Sequence, residues 1–257
     1  MDIFVLKLIL APVVIGSASL AGRKWGPAVS GWIVGLPLTS GPILFFLALS
    51  HDTSFAADSA LAVISGGISL VAYTLTYVWL AFRYPWQISI GGSLLVFTIF
   101  TAFLQNFVFP LLPIFLIVIA LILFALRVLP HDEVQVADAK PGPWDIPLRI
   151  LIGTSIVLLL TGIAPLIGPH LTGLLTTIPL YVSIMTVFAH RHQGPSAAVH
   201  VLRGLLFGLF AFASFFLTLN LLLERAGIAV AFLAAMMIAL TMHGTSLWLL
   251  HRKTDTR

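Results

Sequence analysis

The stretch Gly26-Pro27-Ala28-Val29-Ser30-Gly31, closed by Pro37-Leu38, returns 142 residues later as Gly168-Pro169-His170-Leu171-Thr172-Gly173, closed by Pro179-Leu180. The shared pattern is G-P-x-x-[ST]-G-x5-P-L. At the same offset and without a gap, Lys7 pairs with Arg149, Phe46 with Phe188, Ser54 with Ser196, Gly66 with Gly208 and Thr76 with Thr218. Apolar chains match by chance easily, because few residue types are in play. Glycines and prolines repeated at fixed spacings are harder to obtain that way. The pattern points to an internal duplication.

Composition says what kind of unit was duplicated. The 257 residues are 60% hydrophobic and only 9% charged, with a mean hydropathy of +1.10. Soluble domains carry about 25% charged residues. So few charges cannot coat a soluble protein of this size. That argues against a cytoplasmic enzyme, a nucleic-acid-binding domain and a disordered chain. The pI near 9.8 comes from Lys and Arg in short loops between apolar runs, as in a polytopic membrane protein. With no Cys, disulfides, thiolate catalysis and Cys-bound metals are excluded.

A spanning helix needs about 20 mostly apolar residues. Nine segments qualify: 3–22, 25–50, 56–82, 86–104, 107–128, 147–165, 168–190, 196–222 and 226–250. The expected fold is all-α, a single membrane domain. Repeat 1 covers 1–104, a connecting helix and polar cytoplasmic loop cover 105–145, and repeat 2 covers 146–257. The run Ser17-Ala18-Ser19-Leu20-Ala21 resembles a signal-peptide cleavage site, but Lys7 lies inside the apolar run rather than before it. The segment is therefore read as a span. With nine spans, eleven basic residues fall on one side and only Lys7 and Arg225 on the other. Basic residues favour the cytoplasm, so the N-terminus is expected outside and the C-terminus inside. Four spans return the chain to its starting side, and the fifth flips it. The second half then enters from the opposite face, as in the inverted repeats of many secondary transporters.

The repeated prolines fall at a telling depth. Pro37 lies about 18 Å along a helix begun near Trp25, close to the middle of a ~30 Å hydrocarbon core. Pro179 lies at a similar depth from the other face. Proline breaks the helical ladder, and the freed groups cannot face lipid. Hydroxyls cluster there: Thr39 and Ser40 in one half, Thr176, Thr177, Tyr181 and Ser183 in the other. Half-helix N-termini at such breaks favour anionic groups. Pro37, Thr39, Ser40, Thr176, Thr177, Pro179 and Tyr181 are therefore candidate substrate-binding residues. Lys7, Arg149 and Arg203, one to two turns inside their spans, either snorkel to the interface or line an anion path. No carboxylate lies near a midplane. His190, His192 and His200 cluster near one end of span seven without a metal-box spacing. No metal, cofactor or catalytic residue is expected.

The stretch Gly173-Leu174-Leu175-Thr176-Thr177-Ile178-Pro179-Leu180, followed by His190 and an apolar helix, resembles small GlpM-like bacterial inner-membrane proteins. The first half carries the variant Gly31 to Pro42. The resemblance covers some 60 residues of each half. It implies a bacterial inner-membrane setting and a fused, duplicated unit, with no biochemistry to carry over.

The leading expectation is a small secondary transporter or permease, not an enzyme, handling a small polar or anionic solute where spans two and seven cross. The alternative is a non-transport accessory or assembly protein of the bacterial envelope. The expected partners are the lipid bilayer and a small solute, with no nucleic acid; a homo-oligomer stays open.

Overall fold

Long apolar runs leave the backbone no partner but itself, and helices satisfy it within each segment. The computed structural model describes residues 3–25, 37, 39–130 and 145–254, and none of these is in a strand. The helices are α1 (Ile3–Trp25), α2 (Ser40–Ser50), α3 (Thr53–Ala81), α4 (Trp86–Leu104), α5 (Leu111–Val128), α6 (Asp145–Leu175), α7 (Leu180–Gln193) and α8 (Pro195–Thr254). Residues 26–36, Leu38, residues 131–144 and the side chains of Arg149 and His243 lie outside the described residues.

Proline marks several helix starts, where its missing N–H has no partner to lose. Pro85, Pro110 and Pro179 stand immediately before α4, α5 and α7, and Pro195 opens α8. α3 starts on a side-chain cap instead. Asp52 accepts from the Phe55 backbone N–H at 2.7 Å and from the Ser54 hydroxyl at 2.9 Å. Those bonds hold its carboxyl below the ordinary value of 3.8. The cap is therefore fully formed above that pH and is lost as pH falls through the depressed value.

Among the described residues, five helical stretches are long and apolar enough to cross a membrane. Two of them, Ile146–Gln193 and Pro195–Met242, run 48 residues each. Straight, each would measure about 72 Å, more than twice a hydrocarbon core. Both fold back. α8 departs from helical geometry at Gly227, with φ 78 and ψ 171. The rings of Phe215 and Phe232 then come within 6.1 Å of each other, whereas a straight helix would hold them about 25 Å apart. α6 breaks in the same way at Gly168, with φ 77 and ψ 169, and the Tyr181 hydroxyl comes to lie over Gly153. A positive φ costs glycine little, and no other residue type adopts one among the described residues.

α3 and the first part of α8 (195–226) run antiparallel through the centre. Near one end the Asn220 amide donates to the Ala57 carbonyl at 2.8 Å. Near the other, Phe82 faces Ser196 and Val199 across a cleft. Ala56, Ala60, Val63, Ile64, Tyr73 and Tyr77 bury α3 on all sides. α4, α5 and residues 228–242 lie at the periphery and turn Leu95, Ile99, Phe103, Leu112, Leu116, Leu123, Leu233 and Met237 outward. An apolar girdle this broad is an aggregation hazard in water and suits hydrocarbon.

Glycine sets the closest approaches to α3. A methyl at Gly66 would stand 2.6 Å from Thr177 Cγ2, and one at Gly67 would stand 3.0 Å from Val118. Gly173 of α6 lies directly on the Ser59 carbonyl oxygen and the Ala62 methyl. Gly173→Ala sets side chain against backbone, and overpacking of that kind costs about 1–3 kcal/mol. Purified Gly173→Ala protein should melt below wild type in detergent. Gly204→Ala, whose new methyl meets nothing within 4 Å, should melt no lower than wild type. Equal melting points for the two variants would refute the close approach.

Candidate functional site at the Pro179 helix break

The break between α6 and α7 is built by Pro179. α6 ends at Leu175 and α7 begins at Leu180. Pro179 has φ −80 and ψ 52, the geometry of an inverse γ-turn. The turn closes when the Leu180 N–H donates to the Ile178 carbonyl at 2.8 Å. In an unbroken helix that N–H would have gone to Thr176. Ahead of the turn, Thr177 N–H and Ile178 N–H reach back three residues, to Leu174 and Leu175, at 3.2 Å each. The last turn thus tightens towards 3₁₀ geometry. The carbonyl of Thr176 is left needing a donor.

Ser40 supplies it. Its hydroxyl donates to the Thr176 carbonyl at 2.9 Å, and the bond is buried. Ser40 is the first residue of α2, and Pro37 just ahead of it is not helical. The Pro37 carbonyl accepts from Gly41 N–H at 2.8 Å and the Thr39 carbonyl from Ile43 N–H at 3.1 Å. The start of α2 and the Pro179 break therefore meet in the interior and are joined by a hydrogen bond between residues 136 positions apart.

The threonines spend their donors locally. Thr176 donates to the Gly173 carbonyl at 2.8 Å and Thr177 to the Leu174 carbonyl at 2.6 Å. Both side chains are buried, Thr177 against Gly66 of α3. Thr39 is half-buried and caps α2 without a side-chain hydrogen bond. Tyr181 sets its hydroxyl against Gly153 of α6, beside Ile15 of α1. The site residues thus fall into a joined core of Ser40, Thr176 and Thr177, with Tyr181 on the α1–α6 side.

The cationic candidates have separate surroundings. Lys7 places its ammonium 5.8 Å from the centre of the Phe46 ring. Arg203 donates to the Pro130 carbonyl at 3.3 Å and lines the cleft with Phe82, Ser196, Val199 and His200. The histidines are likewise dispersed. His170 contacts the Leu104 carbonyl at 3.2 Å, and His192 lies on Phe188 with ring centres 4.3 Å apart.

A second polar group was not singled out in the sequence. Tyr73 and Tyr77 of α3, both fully buried, reach across to α7. Tyr73 Oη lies 2.9 Å from Ser183 Oγ, and Tyr77 Oη lies 3.3 Å from His190 Nδ1. A signal for it exists. Ser183, Thr186, His190 and Gln193 recur at helical spacing along one face of α7. With this geometry in hand, comparison with family models, curated proteins and solved structures finds no match to the chain.

Removing the Ser40 hydroxyl leaves a buried carbonyl unpaired, which costs about 1–3 kcal/mol. Ser40→Ala should therefore unfold at lower denaturant concentration than wild type. Thr98→Val, which removes an exposed hydroxyl bonded only to Leu94, should behave as wild type. Indistinguishable unfolding of the Ser40 and Thr98 variants would remove the bond from any structural role.

Proposed function

We propose that this protein is a small secondary carrier of a bacterial inner membrane, with nine spans, its N-terminus outside and its C-terminus cytoplasmic. Two inverted four-span halves are joined by α5, and the solute, small and polar or anionic, binds where the two broken helices meet. The observation that carries this reading is the buried junction of the breaks, Ser40 to the Thr176 carbonyl. Irregular backbone at membrane depth belongs where it lines a pathway or is buried in protein, and carriers place it at their binding sites.

The inverted arrangement draws support from element order. A helix, a helix begun just after a proline, a long helix and a peripheral helix occur as α1, α2 after Pro37, α3 and α4. They recur as 145–167, the Pro179 break, 195–226 and 228–254. A two-fold axis between the halves also requires contacts to exchange partners at the 142-residue offset. Tyr73 meets Ser183. Their counterparts Phe215 and Gly41 also meet, since a Cβ on Gly41 would stand 3.8 Å from Phe215 Cζ.

One observation favours the second reading, an accessory or assembly protein of the envelope. The Thr176 and Thr177 hydroxyls are satisfied by their own helix, and glycine packs α3 tightly against the break. The lack of native cysteine makes single-cysteine variants a clean way to separate the two. Cysteines placed at residues 2 and 255 should react with a membrane-impermeant maleimide from opposite faces of vesicles. Labelling from one face alone would end the nine-span and inverted readings together. A cysteine in place of Thr39 should be reached from both faces if the break alternates its access, and from neither if the junction is a static scaffold. In proteoliposomes given a panel of small carboxylates and phosphates, Ser40→Ala and Thr177→Val should lower uptake of the transported member about ten- to hundredfold. Uptake unchanged from wild type would reject the site.

A further inference from the structure

The seam between α3 and α7 is more polar than helix packing requires. α7 packs on α8 and touches α4, while its link to α3 is made by the long side chains of Tyr73 and Tyr77. Between their partners Ser183 and His190 stands Thr186, fully buried, whose hydroxyl has no hydrogen bond. A threonine in a helix ordinarily bonds the carbonyl one turn back, as Thr74 and Thr218 do here. Thr186 departs from that habit on the face that carries the tyrosine contacts.

The seam at the 142-residue offset shows the apolar solution to the same packing. Phe215, Leu219, Gly41, Leu44 and Ala48 stand where this seam has Tyr73, Tyr77, Ser183, Thr186 and His190. Phe215 packs edge-on against Phe216 and Phe232, with ring centres 5.0 and 6.1 Å away. Polar and ionisable groups inside a membrane are costly and usually functional. The polar seam is therefore the one that needs a chemical explanation.

We propose that His190, read through Tyr77, is a proton-binding site, and that the Thr186–Ser183–Tyr73 row carries the change in hydrogen bonding along α7 towards the Pro179 break. As the coupling-ion site of a carrier it rests on the function proposed above; the proton chemistry does not. In the neutral state the Tyr77 hydroxyl donates to the lone pair on Nδ1. A proton taken from water fills that lone pair and leaves imidazolium, which is only a donor. The ring N–H then donates to the Tyr77 oxygen, and the Tyr77 hydroxyl must turn to another acceptor. Thr186 Oγ1, one turn before His190 on the same face and without a hydrogen bond while the ring is neutral, has lone pairs to receive it once the side chains shift. The ring gains one proton and tyrosine loses none.

Few other groups compete for that proton. Tyr77 is the titratable side chain that α3 sets against His190. α4 carries none. On α8, His200 and Arg203 line the cleft beside Phe82. On α7 itself Arg191 is exposed and His192 lies on Phe188.

The test uses the purified full-length protein and needs no solute. Isotope-labelled histidine signals are followed from about pH 8 to about pH 5, the range in which histidine changes charge; His190→Gln identifies the His190 signal. Amide exchange over residues 180–193 is measured in parallel. In wild type the His190 signal should move through one protonation. Exchange in α7 should fall about tenfold at the same midpoint, the effect of gaining one buried hydrogen bond at Thr186. His190→Gln should abolish the pH response. Tyr77→Phe should leave His190 titrating while exchange no longer follows it. Flat exchange in wild type, or an unchanged response in His190→Gln, overturns the proposal. An intact response in a protein that moves no solute would count against the carrier reading alone.

Discussion

A proline in a buried helix creates a debt of hydrogen bonds that nearby groups must meet. Pro179 has no N–H for the Leu175 carbonyl, and the γ-turn it enforces takes the Leu180 N–H away from Thr176. In water the stranded carbonyl would find a solvent partner. In a protein interior flanked by lipid it needs a fixed donor. The Ser40 hydroxyl provides one, and that single requirement fixes where α2 starts relative to the end of α6. The contacts around the junction follow. Thr177 sits where only glycine fits beneath it on α3, and Gly173 brings the preceding turn onto the Ser59 carbonyl.

Two kinds of interaction then divide the interior. Most buried hydroxyls bond the carbonyl one turn back and present only carbon to their neighbours, as with Ser59, Thr74, Ser93 and Thr161. These behave as small packing residues. A few hydroxyls cross between helices: Ser40 to α6, Thr101 to Ser69, and the tyrosines of α3 to α7. Each such bond is worth about 1 kcal/mol net, against a larger penalty if one partner is removed. They are therefore better at fixing a particular arrangement of helices than at stabilising it.

The sequence disclosed what is written along one chain segment. α4 occupies 86–104 as read, because Pro85 and the apolar run define both of its ends. The interruption at Pro179 follows from proline chemistry alone. The connection at 222–226 was harder. The helix runs on through Glu224 and Arg225 and turns at Gly227, since one glycine in the left-handed region can replace a loop. Thr176 and Thr177 could be placed at the break but their donors could not be assigned, because a threonine can serve either a cavity or its own helix. The tyrosine seam depends on which helices become neighbours across more than a hundred residues, and no local period encodes that. The α7 half of it, Ser183 to Gln193, was present as a pattern without a visible partner.

Gly168 and Gly227 have a practical meaning beyond their dihedral angles. At each, a helix stops and another starts with one residue between them, and the Gly168 turn lies close to the end of α4, where His170 meets Leu104. A fold with ordinary loops offers handles: epitopes for antibodies, nicking sites for proteases, places to graft a fluorophore or a reporter domain. These corners offer only short ones: both glycines face open space and Glu224, Arg225 and Ala226 are exposed, but an inserted segment would begin and end inside a helix. Antibody selection or domain fusion aimed at these corners would meet a few exposed residues on rigid helix ends rather than a flexible loop.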